Sequence, residues 1–390
     1  MALQHRQIGF FDYHQLSVNL TTAHDLQLTG EHITHLADNL FTEKFTNLWH
    51  IDLSMNHLKQ LPENIFTSLL NLESINLSGN IFDSLDINFN DLTRLKSLDL
   101  SYNRIITLKQ GVFEKLSNLT YLNFSFNKLA ALNQKVLRGL SGLCCINLTH
   151  NKLGEIAPGT FQGSKDLKFI LLGENSLKEV YSGMFEGLVD LEVLFLNRNL
   201  IQKINENAFD GLINVQRLFL QNNRLVELSL ELFTGLESLE ILDLSWNLIK
   251  RIDSAVFKDL LSLIELRLVS NKLEVASGAM LYGLEKLRSV DFSKNLISEL
   301  DENMFDSCGE LAMVSFYDNK LIEIPNGLFG VMNNLERVSL HKNQMLEIDL
   351  NEFTRYGVYQ MDERDGYMFF LFENDLFLSV SSGVNVVYSQ

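Results

Sequence analysis

At 390 residues, with 46% hydrophobic content and a formal net charge of −17, the chain is long enough for two or three ordinary domains, yet its charge opposes any partner read through phosphates. Nucleic acid is therefore excluded from the expected partners, because that affinity rests on clustered Lys and Arg. With only 3 prolines, no Gly/Ser-rich run and no long block of one charge, no linker or unstructured tail is expected.

The first residues hold no apolar run of signal-peptide length, and no segment reaches the ~18 uninterrupted apolar residues of a membrane span. The chain as it stands is read as carrying neither leader nor span, with residues 1–25 forming an N-terminal cap.

From residue 26 one spacing takes over. An asparagine returns at Asn56, Asn80, Asn103, Asn127 and so on to Asn343, every 24 residues except for a 23-residue step between Asn80 and Asn103. Repetition at a period of roughly 20 to 50 residues signals a solenoid or an array. The stretch LEILDLSWNLI, Leu239 to Ile249, shows the template: Leu239, Leu242 and Leu244, then Asn247 and Ile249. Upstream, Leu26, Leu28, Ile33 and Leu36 fit it with Glu31 in the asparagine slot, so one divergent unit precedes the thirteen and about 14 repeats are expected.

Leu242 and Leu244 flank Asp243 with period two, which marks a short strand with one buried face. So short a strand cannot stand alone, and neighbouring units must stack into one parallel sheet over a shared core. The asparagine amide, with donors and an acceptor, suits the backbone groups that an abrupt turn leaves unpaired. Ten residues after it comes a phenylalanine, as in Phe41, Phe66, Phe113, Phe161, Phe209 and Phe353, with Leu137 and Leu281 as substitutes and Phe89 one residue early. Both columns are read as structural. After Phe353 the template ends, and YMFFLF, FLSV and VNVVYS read as strands of a C-terminal β-rich cap over 358–390, leaving 26–357 as the solenoid. An alternative makes Met368 to Phe372 an exposed adhesive patch.

The return segments TFQGSKDL, MFEGLVDL, AFDGLINV and LFTGLESL, joined to strands such as LEVLFLNRN, resemble the 24-residue typical class of leucine-rich repeats. This class occurs in animal ectodomains including Toll-like receptors, Slit, chaoptin and the mosquito leucine-rich immune proteins, and the resemblance covers residues 26–357. It implies an α/β repeat fold: a right-handed leucine-rich repeat solenoid, or horseshoe, with a concave parallel β-sheet. It further implies a secreted or cell-surface glycoprotein of receptor, adhesion or innate-immune type, binding a protein ligand on the concave face. The cysteine-rich caps common in such proteins are absent, which keeps open the alternative of an intracellular scaffold or enzyme regulator. Any homo-oligomer would form through the caps.

On the expected solvent face, the middle strand position is usually polar, as at Asp52, Asp99 and Asp243, but reads Leu171, Phe195 and Phe219 in three successive units. The neighbouring column adds Phe169, Val193 and Ile241, and Arg198, Arg217 and Trp246 rim the cluster. Exposed apolar clusters with aromatic and Arg members mark contact sites, so a protein-binding patch centred on Phe195 and Phe219 is expected. The competing account is cross-strand packing with no partner. The flanking acids Asp52, Asp99, Asp243, Glu265 and Asp291 are read as solvated, or as steering a basic partner.

Weaker signals remain. His32 and His57 occupy equivalent places in adjacent units, but no further ligands stand at zinc-like spacing, so no metal is expected. Glycosylation candidates begin at Asn19, Asn76, Asn118, Asn123 and Asn147. Cys144, Cys145 and Cys308 cannot build a disulfide framework, and Cys308 takes a buried Leu slot. With no nucleophile elbow, zinc-protease helix or phosphate loop, neither catalysis nor a cofactor is expected.

Overall fold

The computed structural model describes residues 22–38, 40–41, 45–330, 332–349, 353, 378–381 and 383–386, and the backbone alone of Phe10–Phe11, Val358–Arg364, Tyr367–Phe372, 377 and 387. Asn19, most of the expected N-terminal cap and the side chains of Met368 to Phe372 lie outside the described residues. The chain divides into two compact units, Met1–Asn199 and Leu200–Gln390.

The first unit is a stack of coils, each contributing one three-residue strand to a parallel ladder. The strands run Asp25–Gln27, His50–Asp52, Ser74–Asn76, Ser97–Asp99, Tyr121–Asn123, Cys145–Asn147, Phe169–Leu171 and Val193–Phe195, in register from coil to coil. The central residue of every strand, such as Leu98 or Leu122, is buried and its two neighbours face away from the core. The second unit repeats the plan with Arg217–Phe219, Ile241–Asp243, Glu265–Arg267, Ser289–Asp291, Met313–Ser315 and Arg337–Ser339. Phe377–Ser381 then joins Arg337–Ser339 in parallel, and Tyr367–Phe372 and Val358–Arg364 come next as antiparallel neighbours.

The asparagine column carries out the chemistry its amide allows. Asn127 Nδ2 donates to the carbonyls of Leu100 at 2.9 Å, Phe124 at 3.1 Å and Ser125 at 3.3 Å, while its Oδ1 accepts from Ile105 N at 2.9 Å. Leu100 and Ile105 belong to the preceding coil, so one side chain both closes its own turn and fastens it to its neighbour. The same pattern recurs at Asn56, Asn175, Asn247 and Asn295.

On the opposite side of the core the phenylalanines stack. In the first unit Phe41, Phe66, Phe89 and Phe113 succeed one another at centroid distances of 6.1, 6.2 and 6.3 Å. In the second, Phe209, Phe233 and Phe257 do so at 6.4 and 5.7 Å. Phe89 keeps its place although its coil is one residue short. That coil is also where an open groove of about 690 Å³ lies, lined by residues that include Glu63, Asp86, Asn88 and Lys109.

One backbone feature recurs without a single residue type to announce it. The residue before the ladder asparagine is left-handed throughout: Met55, Tyr102, Phe126, His150, Glu174 and Arg198 in the first unit have φ between 53° and 56°. Asn222, Trp246, Ser270, Lys294, Asp318 and Lys342 do the same in the second, at 55° to 58°. This conformation costs a non-glycine residue on the order of 1 kcal/mol. Gly79 alone among the thirteen meets it with glycine, at φ +67°.

Candidate recognition surface

In the first unit, Phe169 pairs across the ladder with Val193, and Leu171 with Phe195. All four project from the face opposite the core. Phe169, Leu171 and Phe195 are half-buried, but Val193 is only 6% exposed, so its expected place in an open patch is corrected. A short branched side chain beside Phe169 retains little surface. Arg198 is exposed, and its Nη1 lies 3.2 Å from Glu174 Oε1, so the cation sits in an ion pair at the sheet's margin.

In the second unit, Arg217 pairs with Ile241 and Phe219 with Asp243. Arg217 and Trp246 are exposed, and Phe219 and Ile241 half-buried. Lys294 Nζ stands 5.7 Å from the Trp246 ring centroid, within cation–π reach.

The polar residues of the middle column are not simply solvated. Asp52 Oδ1 accepts from Ser54 N at 2.8 Å, and Asp99, Asn123, Asn147, Asp243 and Asp291 each accept from the backbone N–H two residues on. This is a side-chain turn that closes the end of each strand. Asp243 is 6% exposed as a result, with Arg267 Nη1 3.7 Å from its other oxygen. The Arg267 guanidinium, bonded first to Glu265, has its pKa raised. Turn closure is thus a local role of Asp52, Asp99, Asp243 and Asp291.

The same chemistry bears on the glycosylation candidates. Asn123 is 7% exposed and its amide nitrogen lies 3.0 Å from Asp99 Oδ2, so the atom a glycan would occupy is already committed. Asn76 Nδ2 reaches Asp52 at 3.2 Å, and Asn147 Oδ1 accepts from Thr149 N at 3.0 Å. Asn118 is exposed, with Nδ2 2.7 Å from Thr93 O.

All three cysteines are free. Burial, with Cys144 adjoining, pushes the Cys145 thiol up to about 11, and burial pushes Cys308 up to about 12. The thiolate is the reactive form. Native protein treated with iodoacetamide near neutral pH is expected to leave Cys145 and Cys308 unmodified, and denatured protein to label both. Fast native labelling at either, read by peptide mass spectrometry, would contradict this.

His32 Nδ1 and His57 Nε2 lie 3.3 Å apart. Among the described residues no group of three or more His, Cys, Asp or Glu side chains could hold a metal, and no helix is long and apolar enough to cross a membrane.

Reading the strand columns alone misses a file of aromatic residues immediately before the ladder asparagines: Tyr102, Phe126 and His150. The signal was available as Tyr-Asn, Phe-Asn and His-Asn in three successive units.

Residues 85–129, 118–177, 165–225 and 213–273 match the leucine rich repeat family, and residues 250–360 match the BspA type leucine rich repeat region. The chain belongs to the leucine-rich repeat proteins. Among curated proteins, leucine-rich repeat and fibronectin type III domain-containing protein 1 of Danio rerio is 32% identical over 77 residues, which is 20% of this chain and 13% of that protein. Among solved structures, Drosophila Toll in its complex with Spatzle has a TM-score of 0.75 at 22% identity, covering 87% of this chain and 50% of that one. A leucine-rich repeat protein of Leptospira interrogans has a TM-score of 0.65 at 25% identity, covering 86% of this chain and 94% of that one. The chain thus spans half the length of the Toll chain and far less of the zebrafish protein. At these identities the likeness to Toll is one of fold.

Proposed function

We propose that the chain is a non-enzymatic protein-binding module whose ligand contacts the solvent face of the strands. Phe169, Leu171 and Phe195 form the contact surface in the first unit, and Phe219 and Ile241, with Arg217 and Trp246, form that of the second. One observation carries the reading. Leu171, Phe195 and Phe219 replace the Asp or Asn oxygen that closes the strand end in other coils, giving up a hydrogen bond worth about 0.5–1.5 kcal/mol for side chains that stay partly in water.

The finer reading is an extracellular receptor, adhesion or innate-immune ectodomain, supported by the likeness to Toll, a protein solved with Spatzle bound. Three free cysteines favour the second reading, an intracellular scaffold or regulator. A tunicamycin-sensitive mass shift of the protein in its own cells separates the two.

The surface itself is tested with Phe195→Ser and Phe219→Ser. Each is expected to change unfolding free energy by no more than roughly 1 kcal/mol. Each should weaken retention of the ligand by at least about tenfold. Quantitative capture from extracts of cells that express the protein, wild type against both variants, gives the answer. A set of retained proteins identical across all three sinks the proposal.

A further inference from the structure

In the first unit, the residues on either side of a ladder asparagine point the same way, because the asparagine between them points inward. Tyr102 and Arg104 are exposed around buried Asn103, Phe126 and Lys128 around buried Asn127, and Lys152 comes after half-buried His150 and buried Asn151. Two parallel files result, one aromatic and one cationic, a coil apart from member to member.

The aromatic file is held in place. Tyr102 stacks on Phe126 and Phe126 on His150, each with centroids 4.2 Å apart and planes within 8° and 21°. That distance is close to the ~4.8 Å between neighbouring strands, so the shared left-handed backbone sets the stack directly. Beyond it, His150 Nε2 lies 2.6 Å from Glu174 Oε2, and Glu174 in turn holds Arg198. At the other end, a Cβ on Gly79 would lie 2.5 Å from Met55 Sδ, so the Met55 thioether fills the place of the missing side chain. Even so stacked, Tyr102 is 57% exposed and Phe126 37%.

The cationic file is unmatched. Among the described residues no carboxylate lies within ion-pair distance of Arg104, Lys128 or Lys152, although the chain has 49 acidic residues to 32 basic and Lys96, Arg138 and Lys168 of the same unit are all paired.

We propose that this double file docks an acidic segment of a partner protein, its carboxylates meeting Arg104, Lys128 and Lys152 and its apolar side chains lying along the rims of Tyr102 and Phe126. Charge complementarity selects the sign. The ring geometry narrows the chemistry: faces covered by one another leave mainly hydrocarbon rims, along which apolar side chains can lie while the carboxylates reach the cationic file. A nucleobase would require a free ring face on which to stack, and single-strand binding depends on successive free faces. The surface lies wholly within the first unit and uses none of the strand-face residues proposed above, so either can fail while the other stands.

The test pans a phage library of random dodecapeptides on the full chain, on R104A/K128A/K152A and on Y102A/F126A, each first checked for wild-type thermal unfolding. Wild type should enrich peptides that combine Asp or Glu with apolar residues, and a synthetic representative should lose at least about tenfold in affinity with either variant. Its binding should weaken as salt rises, and F195S should leave it unchanged. A charge-reversed variant, R104E/K128E/K152E, should select basic peptides instead. The proposal is overturned by enrichment without acidic residues, or by an affinity that the triple alanine variant does not alter. It is equally overturned if heparin or poly(U) shows the variant sensitivity while acidic peptides do not.

Discussion

Phe209→Ala is expected to remove about 3 to 5 kcal/mol from the stability of the second unit. Phe209 has no exposed surface and lies parallel to Phe233, the planes within 3° and the centroids 6.4 Å apart. Truncation removes the ring's buried area and leaves a void that the next ring cannot fill, because the coil spacing is set by the ladder and not by the core. The two tryptophans report separately, Trp49 in the first unit and Trp246 in the second. Urea unfolding monitored through Trp246 in a Trp49→Phe background reads the loss where it occurs. A decrease below about 1 kcal/mol would show that the stack is ornamental to the core. The leucines at 137 and 281, both buried, show that a smaller residue can occupy the column when its surroundings are built for it.

Asn127→Leu is expected to be comparably severe by a different route. The substitution keeps approximate volume but leaves Ile105 N–H without its acceptor and takes one of two donors from each of the carbonyls of Leu100, Phe124 and Ser125, which keep Asn103 Nδ2, Asn151 Nδ2 and Tyr102 N respectively. The stranded Ile105 N–H costs about 1 to 3 kcal/mol and the second donors lost by the three carbonyls add to it, so a total on the order of 3 kcal/mol is expected. Asn127→Asp is the sharper probe. It keeps the oxygen for Ile105 but turns a donor into a carboxylate facing three carbonyls. Burial and those carbonyls would hold its folded-state pKa above the unfolded value. Its deficit relative to wild type should therefore be largest at neutral pH and shrink as pH falls through the folded-state pKa. A deficit independent of pH would mean that the amide's donors contribute nothing.

These two columns were legible in the sequence because each is one residue type at one spacing, imposed by a task that only that chemistry performs. The strand interior was legible for the same reason: Leu98, Leu122 and Leu242 alternate with polar neighbours. What escaped was conformation without composition. Tyr102, Phe126, Glu174, Arg198 and Trp246 share a backbone state, yet nothing in their side chains declares it. The role of the middle column escaped as well, since an aspartate that closes a turn and one that meets only water have the same letter. Val193 shows a third kind of loss. Strand parity places it correctly on the outer face, but parity is silent about how far a neighbour covers it.

The backbone state before each ladder asparagine has a consequence for how variation would be scored. Because φ there is nearly constant, every side chain leaves the main chain at the same angle, one per coil, like teeth on a rack. A tooth can be exchanged without moving the rack, and glycine would even relieve it. An assay that counts only surviving folded protein would therefore pass over Tyr102 and Phe126 while marking Asn103 and Asn127, one residue along, as intolerant. Comparing such a survey with one that scores binding would sort this chain by column and not by region, and the columns on which the two surveys disagree would be those that touch other molecules.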